Sequence, residues 1–192
     1  MLIVVRHGRT EANARGLLLG RADPSLDAVG REQAMAVARA LPGAARVVSS
    51  PLARCRETAA AFGLPVDIDD RWIELDYGEW DGRPVSEVPA ATWQAWRADP
   101  DFAPPGGESL SALGHRVSES ADDLATGAIE NDTVVVTHVS PVKAAVAWAL
   151  GADDEVAWRT FVSQAAITRV AVGERGPVLT SFNETGHLAA PT

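Results

Sequence analysis

The chain has 192 residues, 46% of them hydrophobic and 22% charged, which is enough for one compact domain with a sizeable core and too apolar for a disordered chain. Its formal net charge of −9 repels polyanions and excludes nucleic acid as a general partner, although arginines gathered at one point can still hold a phosphate. A single cysteine, Cys55, allows no intramolecular disulfide and fits a cytoplasmic setting, and the opening apolar run Leu2 to Val5 is too short for a signal peptide or a membrane helix.

Taken in chain order, LIVV at 2–5 reads as the first buried strand. A helical pattern over Asp27 to Leu41 follows, with Ala34, Val37, Ala38 and Leu41 as its apolar positions and Pro42-Gly43 as its stop. RVVS at 46–49 is the second strand. Pro51 to Phe62 is a helix opened by proline at a first-turn position and closed by Gly63. Residues 81–107 differ from the rest. They are rich in proline and glycine around a short helical piece with Trp93 and Trp96, and they read as an excursion from the sheet, a cap beside the pocket, with both tryptophans used for packing. Ser109 to Ile129 is the longest helix. TVVVT at 133–137 is the third strand, and Pro141 to Leu150 a helix ended by Gly151. ITRVAV at 167–172 and VLTSF at 178–182 pair as a hairpin around Gly173 to Pro177. Apolar strands alternating with helices predict a single α/β domain over 1–192, a three-layer α/β/α sandwich with a largely parallel sheet. Cys55 reads as a core residue, and Trp148 and Trp158 as core packing in preference to an interface.

The residues with chemical potential gather at strand ends. Arg6-His7-Gly8 follows the first strand directly, on the carboxyl edge where open α/β sheets bind ligands, and Gly8 permits a sharp turn and a close approach. Taken alone, the tripeptide is a weak signal. SSPLARCRETA at 49–59 also starts at a strand end and places Arg54 and Arg56 in the first turns of a helix. A cation there opposes the helix dipole, but a helix N-terminus with a nearby arginine is a good anion site. His138 closes the third strand, so two of the four histidines hold equivalent positions on one sheet edge, whereas His115 and His187 do not. In WIELDYGEWDG at 72–82, Glu74 has the apolar and aromatic context that raises a carboxyl pKa, as a general acid requires. Asp76, Glu79 and Asp81 compete for that role, and the residues do not choose among the four. No zinc spacing and no Walker loop is present, so neither metal nor cofactor is expected.

In this order along the chain, LIVVRHGRTEAN, GRADPSLDAVGREQA, SSPLARCRETA, IELDYGEWDG, PPGGES, VVVTH and SFNETGHL resemble the motifs of the histidine phosphatase superfamily, the phosphoglycerate mutase-like group, over Leu2 to Leu188. The short length and compact middle region resemble its small bacterial phosphatases, α-ribazole phosphatase-like members included. The resemblance implies a phosphoglycerate mutase-like fold and a metal-independent phosphomonoesterase that takes a small phosphorylated metabolite and releases inorganic phosphate. By position, His7 matches the family's phosphorylated histidine, Arg6, Arg54 and His138 the residues that hold the phosphoryl oxygens, and Glu74 the proton donor. Thr10 and Asn13 match positions that line the phosphate pocket, Gly20 a loop beside the substrate, and Glu108-Ser109 the GES turn, read here as a helix start. The chemistry asks that His7 be unprotonated on its attacking nitrogen. Neighbouring arginines favour that by lowering its pKa, and a backbone carbonyl on the other nitrogen would fix the tautomer. His138, if protonated, would add charge to the transition state.

Two positions depart from the family pattern. Val139 and Ser140 stand where two glycines are frequent, which bears on substrate shape. Arg9 stands where many relatives carry glutamate or glutamine, and either draws an anionic substrate or points outward. Two other functions are weighed: a phosphoglycerate mutase, against which the lack of a longer middle segment counts, and a non-catalytic phosphate-ligand-binding scaffold, against which the presence of both His7 and Glu74 counts.

Overall fold

The computed structural model describes residues 1–188, so the final stretch of the domain expected over 1–192 lies outside the described residues. The chain runs β1 (Leu2–Arg6), α1 (Glu11–Ala14), α2 (Ala28–Ala40), β2 (Arg46–Ser49), α3 (Ala53–Ala60), β3 (Val66–Ile68), α4 (Ala90–Ala98), α5 (Leu110–Glu130), β4 (Thr133–Thr137), α6 (Val139–Leu150), α7 (Val156–Arg159), β5 (Ile167–Ala171) and β6 (Val178–Glu184). One sheet carries all the strands in the order β3-β2-β4-β1-β5-β6. Pairing is parallel from β3 through β1, while β5 is antiparallel to both β1 and β6, which makes the sheet mixed but largely parallel.

The unbroken apolar strands are buried on both faces, as a parallel sheet requires. Leu2, Val4, Val48 and Val135 face α5 and α6, packing with Leu113, Val117 and Val142. Ile3, Val5, Val47, Val134 and Val136 face α2 and α3, where they meet Val37, Cys55 and Ala59. This is the three-layer sandwich. β3 is a strand beyond the five expected from the sequence. It is three residues long, on the sheet edge and mostly exposed, so it carries no buried apolar run. The four-residue helices α1 and α7 also lie beyond those expected, and they are too short to show a 3.6-residue period.

Helix ends account for two smaller corrections. Pro51 lies before the N-cap Leu52, outside α3, whereas Pro141 sits in the first turn of α6, where no intrahelical partner for its nitrogen is lost. Ser109 caps α5 through its side chain, as the helix-start reading of the GES turn expected. Gly8 serves a purpose other than ligand approach: a Cβ on it would stand 2.4 Å from the Gly30 carbonyl oxygen, so it lets the end of β1 touch α2.

The register of β2, β4 and β1 positions the site. Arg6 is opposite Thr137, and Ser49 opposite Val136, so the next residues, His7, His138 and Ser50, leave the sheet side by side. Two ladder-like bonds continue past the strands, His7 N–H to Thr137 O at 2.9 Å and Ser50 N–H to Val136 O at 3.0 Å. Within the excursion over 81–107, Trp96 is 1% exposed and stacks on Trp93 with ring centroids 5.5 Å apart. Trp158 meets both rings edge-on. Among the described residues, no helix is long and apolar enough to cross a membrane.

Candidate active site

The Arg54 guanidinium joins the sheet-edge residues into one cluster. Its Nε–H lies 3.2 Å from His7 Nε2 and 3.2 Å from His138 Nδ1. Its two terminal nitrogens donate to Ala22 O and Gly20 O, each at 2.8 Å. The two imidazole rings stand edge to face, 5.1 Å between centroids. Arg54 is completely buried because α3 starts immediately after β2 and turns its first full residues under the 20–22 loop. Arg56, two residues on, is exposed and takes no part.

His7 Nδ1 lies 2.6 Å from the carbonyl oxygen of Gly8. That carbonyl is an acceptor only, so Nδ1 carries the proton and Nε2 is unprotonated, its lone pair accepting from Arg54 Nε–H. Burial holds the His7 pKa well below its ordinary 6.5, and the Arg54 and Arg6 charges add to the effect. Arginines were expected to lower it; burial proves the larger cause. His138 differs in its outer partner: Nε2 meets Ser50 Oγ at 2.7 Å, with Cys55 Sγ at 3.3 Å. Burial, then Arg54, His7 and Arg6, hold His138 well below 6.5 too. It is therefore neutral in the ligand-free protein, and a protonated His138 belongs only to a state in which an added anion restores the charge.

Arg6 is 8% exposed and donates from Nη1 to Val162 O at 2.7 Å, while its Nε has no partner among the described residues. Burial lowers its pKa to about 10, against the pull of the nearby Glu74 carboxylate. Neither Arg6 nor Arg54 makes an ion pair within the described residues. Two buried guanidinium groups held only by neutral partners are costly unless an anion joins them.

The four carboxylates left open by the sequence separate cleanly. Glu74 is 3% exposed and accepts from Leu75 N–H at 2.8 Å, Val139 N–H at 3.1 Å and Ser140 N–H at 3.2 Å, so it sits on the N-terminus of α6 beside His138. Its setting is thus only partly apolar. Asp81 instead accepts from the backbone N–H groups of Gly20, Arg21 and Ala22 at 2.7–2.9 Å and clamps the loop that holds Arg54. Asp76 accepts from Gly78 N–H in its own turn, and Glu79 is exposed. Glu108 grips Arg116 through both oxygens at 2.8 and 2.9 Å, and Arg116 in turn donates to Glu74 O at 3.3 Å.

Thr10 and Asn13 are turned toward each other. Thr10 is the N-cap of α1, and the two residues form a capping box in which Asn13 Oδ1 is engaged. Arg9 neither faces the cluster nor stands free, because its Nε donates to Asp27 Oδ2 at 2.7 Å. The expected anion site at the N-terminus of α3 is already served by this chain, since Ala53 N–H donates to Asp23 Oδ1 at 2.6 Å. Gly20 admits no side chain: a Cβ there would meet Leu75 O at 2.8 Å.

Several contributing residues were not picked out from the sequence. Ser50 has the same strand-end position as the two histidines, and that parallel was the available signal. Thr58 accepts from Gly8 N–H at 3.1 Å, and Asn183 holds Ser163 N–H at 2.7 Å beside the Val162 carbonyl that binds Arg6. His187, read as bland, accepts a role at one remove. Its Nε2 lies 2.9 Å from Ala165 O, and Ala165 N–H donates to His7 O at 3.1 Å. These links cross 20 or more residues of chain, and no local pattern records them. Among the described residues, no three histidine, cysteine or acidic side chains cluster so as to hold a metal ion.

The geometry agrees with a match to known proteins. The family model described as histidine phosphatase superfamily (branch 1) matches residues 2–185. The chain belongs to the histidine phosphatase superfamily. A bifunctional protein of Mycobacterium tuberculosis is 34% identical over 198 residues, covering 97% of this chain and 54% of that one, so the chain spans about half the length of the first curated relatives it matches. Phosphoserine phosphatase 1 of Hydrogenobacter thermophilus is 33% identical over 199 residues, covering 97% of this chain and 93% of that protein. Among solved structures, phosphoserine phosphatase of Entamoeba histolytica in complex with 3-phosphoglyceric acid superimposes with a TM-score of 0.90 at 27% identity, over 98% of each chain. The phosphoglycerate mutase-like fold implied by the sequence motifs is the fold found.

Proposed function

We propose that this histidine phosphatase is a metal-independent phosphomonoesterase that hydrolyses small phosphate esters through a phosphohistidine on His7. One observation carries the reading: His7 Nε2, held free of its proton, faces two buried arginines that make no ion pair among the described residues. Such a cluster calls for a dianionic phosphoryl group, and the bare imidazole nitrogen is a nucleophile aimed at it.

In the first step, His7 Nε2 attacks phosphorus and the bond from phosphorus to the ester oxygen breaks. Glu74, next to His138 on the α6 N-terminus, gives its proton to the departing alkoxide. Arg6, Arg54 and His138 hold the phosphoryl oxygens throughout, with forked guanidinium donors matched to that geometry. In the second step, water attacks the phosphohistidine, Glu74 takes a proton from it, and inorganic phosphate leaves with His7 restored. Thr10 and Asn13 act here by shaping the loop after His7, and Gly20 by accepting from Arg54. Residues 81–107 serve as a cap over the alcohol part of the ester. A cytoplasmic setting fits the single buried thiol of Cys55.

The test is phosphate release in the presence of EDTA from p-nitrophenyl phosphate, run beside His7→Ala. We expect acid-labile label on the wild type, none on the variant, and a fall in kcat of at least about 10³-fold. Full activity in His7→Ala would overturn the mechanism. Interconversion of 3- and 2-phosphoglycerate without net phosphate release would make the protein a mutase instead.

A further inference from the structure

A cavity of ≈ 170 Å³ lies next to Glu74. Leu75, Val139 and Ser140, which hold the Glu74 carboxylate by their backbone N–H groups, also line this cavity. Its other walls include Trp93, Trp96 and Trp158. An apolar cavity of about 150 Å³ is the size that one benzene ring fills, so the space suits an alcohol part of one ring.

Among these walls is one cation. Lys143 stands four residues after Val139, one helical turn and about 6 Å further along α6. Its Nζ donates to Ala157 O at 2.6 Å and makes no ion pair among the described residues. Burial lowers its pKa. None of the residues that line the cavity is acidic. The Glu74 carboxylate offsets part of that burial without pairing with the ammonium, and a half-buried ammonium bonded only to a carbonyl favours a ligand that brings an anion.

We propose that Lys143 is a specificity-determining residue, and that the substrates are phosphate monoesters whose alcohol part is one ring in size and carries a carboxylate. The phosphoryl group lies at His7, the scissile oxygen at Glu74 and the carboxylate at the Lys143 ammonium. This assignment rests on the phosphatase reading above.

The experiment compares 3-carboxyphenyl phosphate with 3-carbamoylphenyl phosphate, nearly the same shape without the charge, with p-nitrophenyl phosphate as a generic ester. Wild-type kcat/KM should favour the carboxylate by about tenfold or more, chiefly through KM, as a charge-assisted bond does. Lys143→Met should bring that ratio to about one, and Lys143→Arg, which keeps the charge, should preserve a preference. A wild-type ratio near one, or an unchanged ratio in Lys143→Met, overturns the proposal. If p-nitrophenyl phosphate is hydrolysed while the wild type shows no preference, the phosphatase reading stands and only the Lys143 assignment falls. If none of the three esters releases phosphate, both fall.

Discussion

The phosphoryl end of the site and the aromatic cavity next to it are built in opposite ways. At the phosphoryl end nearly every polar atom is pinned by backbone: Gly8 O on His7, Gly20 O and Ala22 O on Arg54, Val162 O on Arg6, and three N–H groups on Glu74. At the other end the walls include indole rings packed on one another, and the one charge in the lining, Lys143, donates to a single carbonyl. The first end is fixed by strand register and leaves little room for adjustment. The second is assembled largely from side chains of α4, α6 and α7, and meets the first only where the N-terminus of α6 holds Glu74. On the reading proposed above, the chemistry sits at the sheet edge and substrate choice on the helices around it.

Three changes test that division. The largest effect is expected at the aromatic end, and on stability: Trp96→Ala removes a fully packed indole and should cost about 3–5 kcal/mol in denaturant unfolding. A cost below 1 kcal/mol would show that the cavity wall is not part of the core. Next is Arg54→Ala, which removes the group shared by both histidines. A kcat loss of about 10²–10³-fold on p-nitrophenyl phosphate is expected, by analogy with the loss of an oxyanion donor. The loss should be alike for every ester, since this end does not sense the alcohol; a loss confined to one ester would erase the division between the ends.

The smallest effect is on pH. His7 and His138 are held neutral by burial, with folded-state pKa values well below 6.5, and His187 is shifted in the same direction. Their contribution to stability is complete above pH 6.5. It declines as pH falls below that value, because the unfolded chain takes up protons that the folded chain refuses. Thermal melting of the ligand-free protein should thus show a lower Tm at pH 5.5 than at pH 7.5. Asp27, Asp69 and Glu108, whose pKa values are lowered from 3.8, 3.8 and 4.5, lose their contribution only in more acid solution. A flat Tm across that interval would mean that the two histidines are not buried neutral.

Much of this was legible in the residues. The runs LIVV, RVVS and TVVVT announced buried strands, and the histidines at two strand ends announced a shared edge. The ordered motifs then marked Arg6, His7, Arg54, Glu74 and His138. Other features were not legible. β3 was too short to show a pattern, and the choice of Glu74 over Asp76, Glu79 and Asp81 needed the position of α6. Arg9 carries the same charge whether it draws a substrate or, as here, pairs with Asp27.

The amino-acid sequence by itself determined the alternation of strands and helices, the two strand-end histidines and the family motifs. These depend on residue type and on spacing within a short stretch, which a linear chain records. Only the tertiary structure decided which carboxylate stands beside His138, which carbonyls hold Arg54, and that Lys143 lines one cavity with tryptophans from α4 and α7. Those are contacts between segments far apart in the chain, set by how helices pack on the sheet, and no local pattern of residues encodes them.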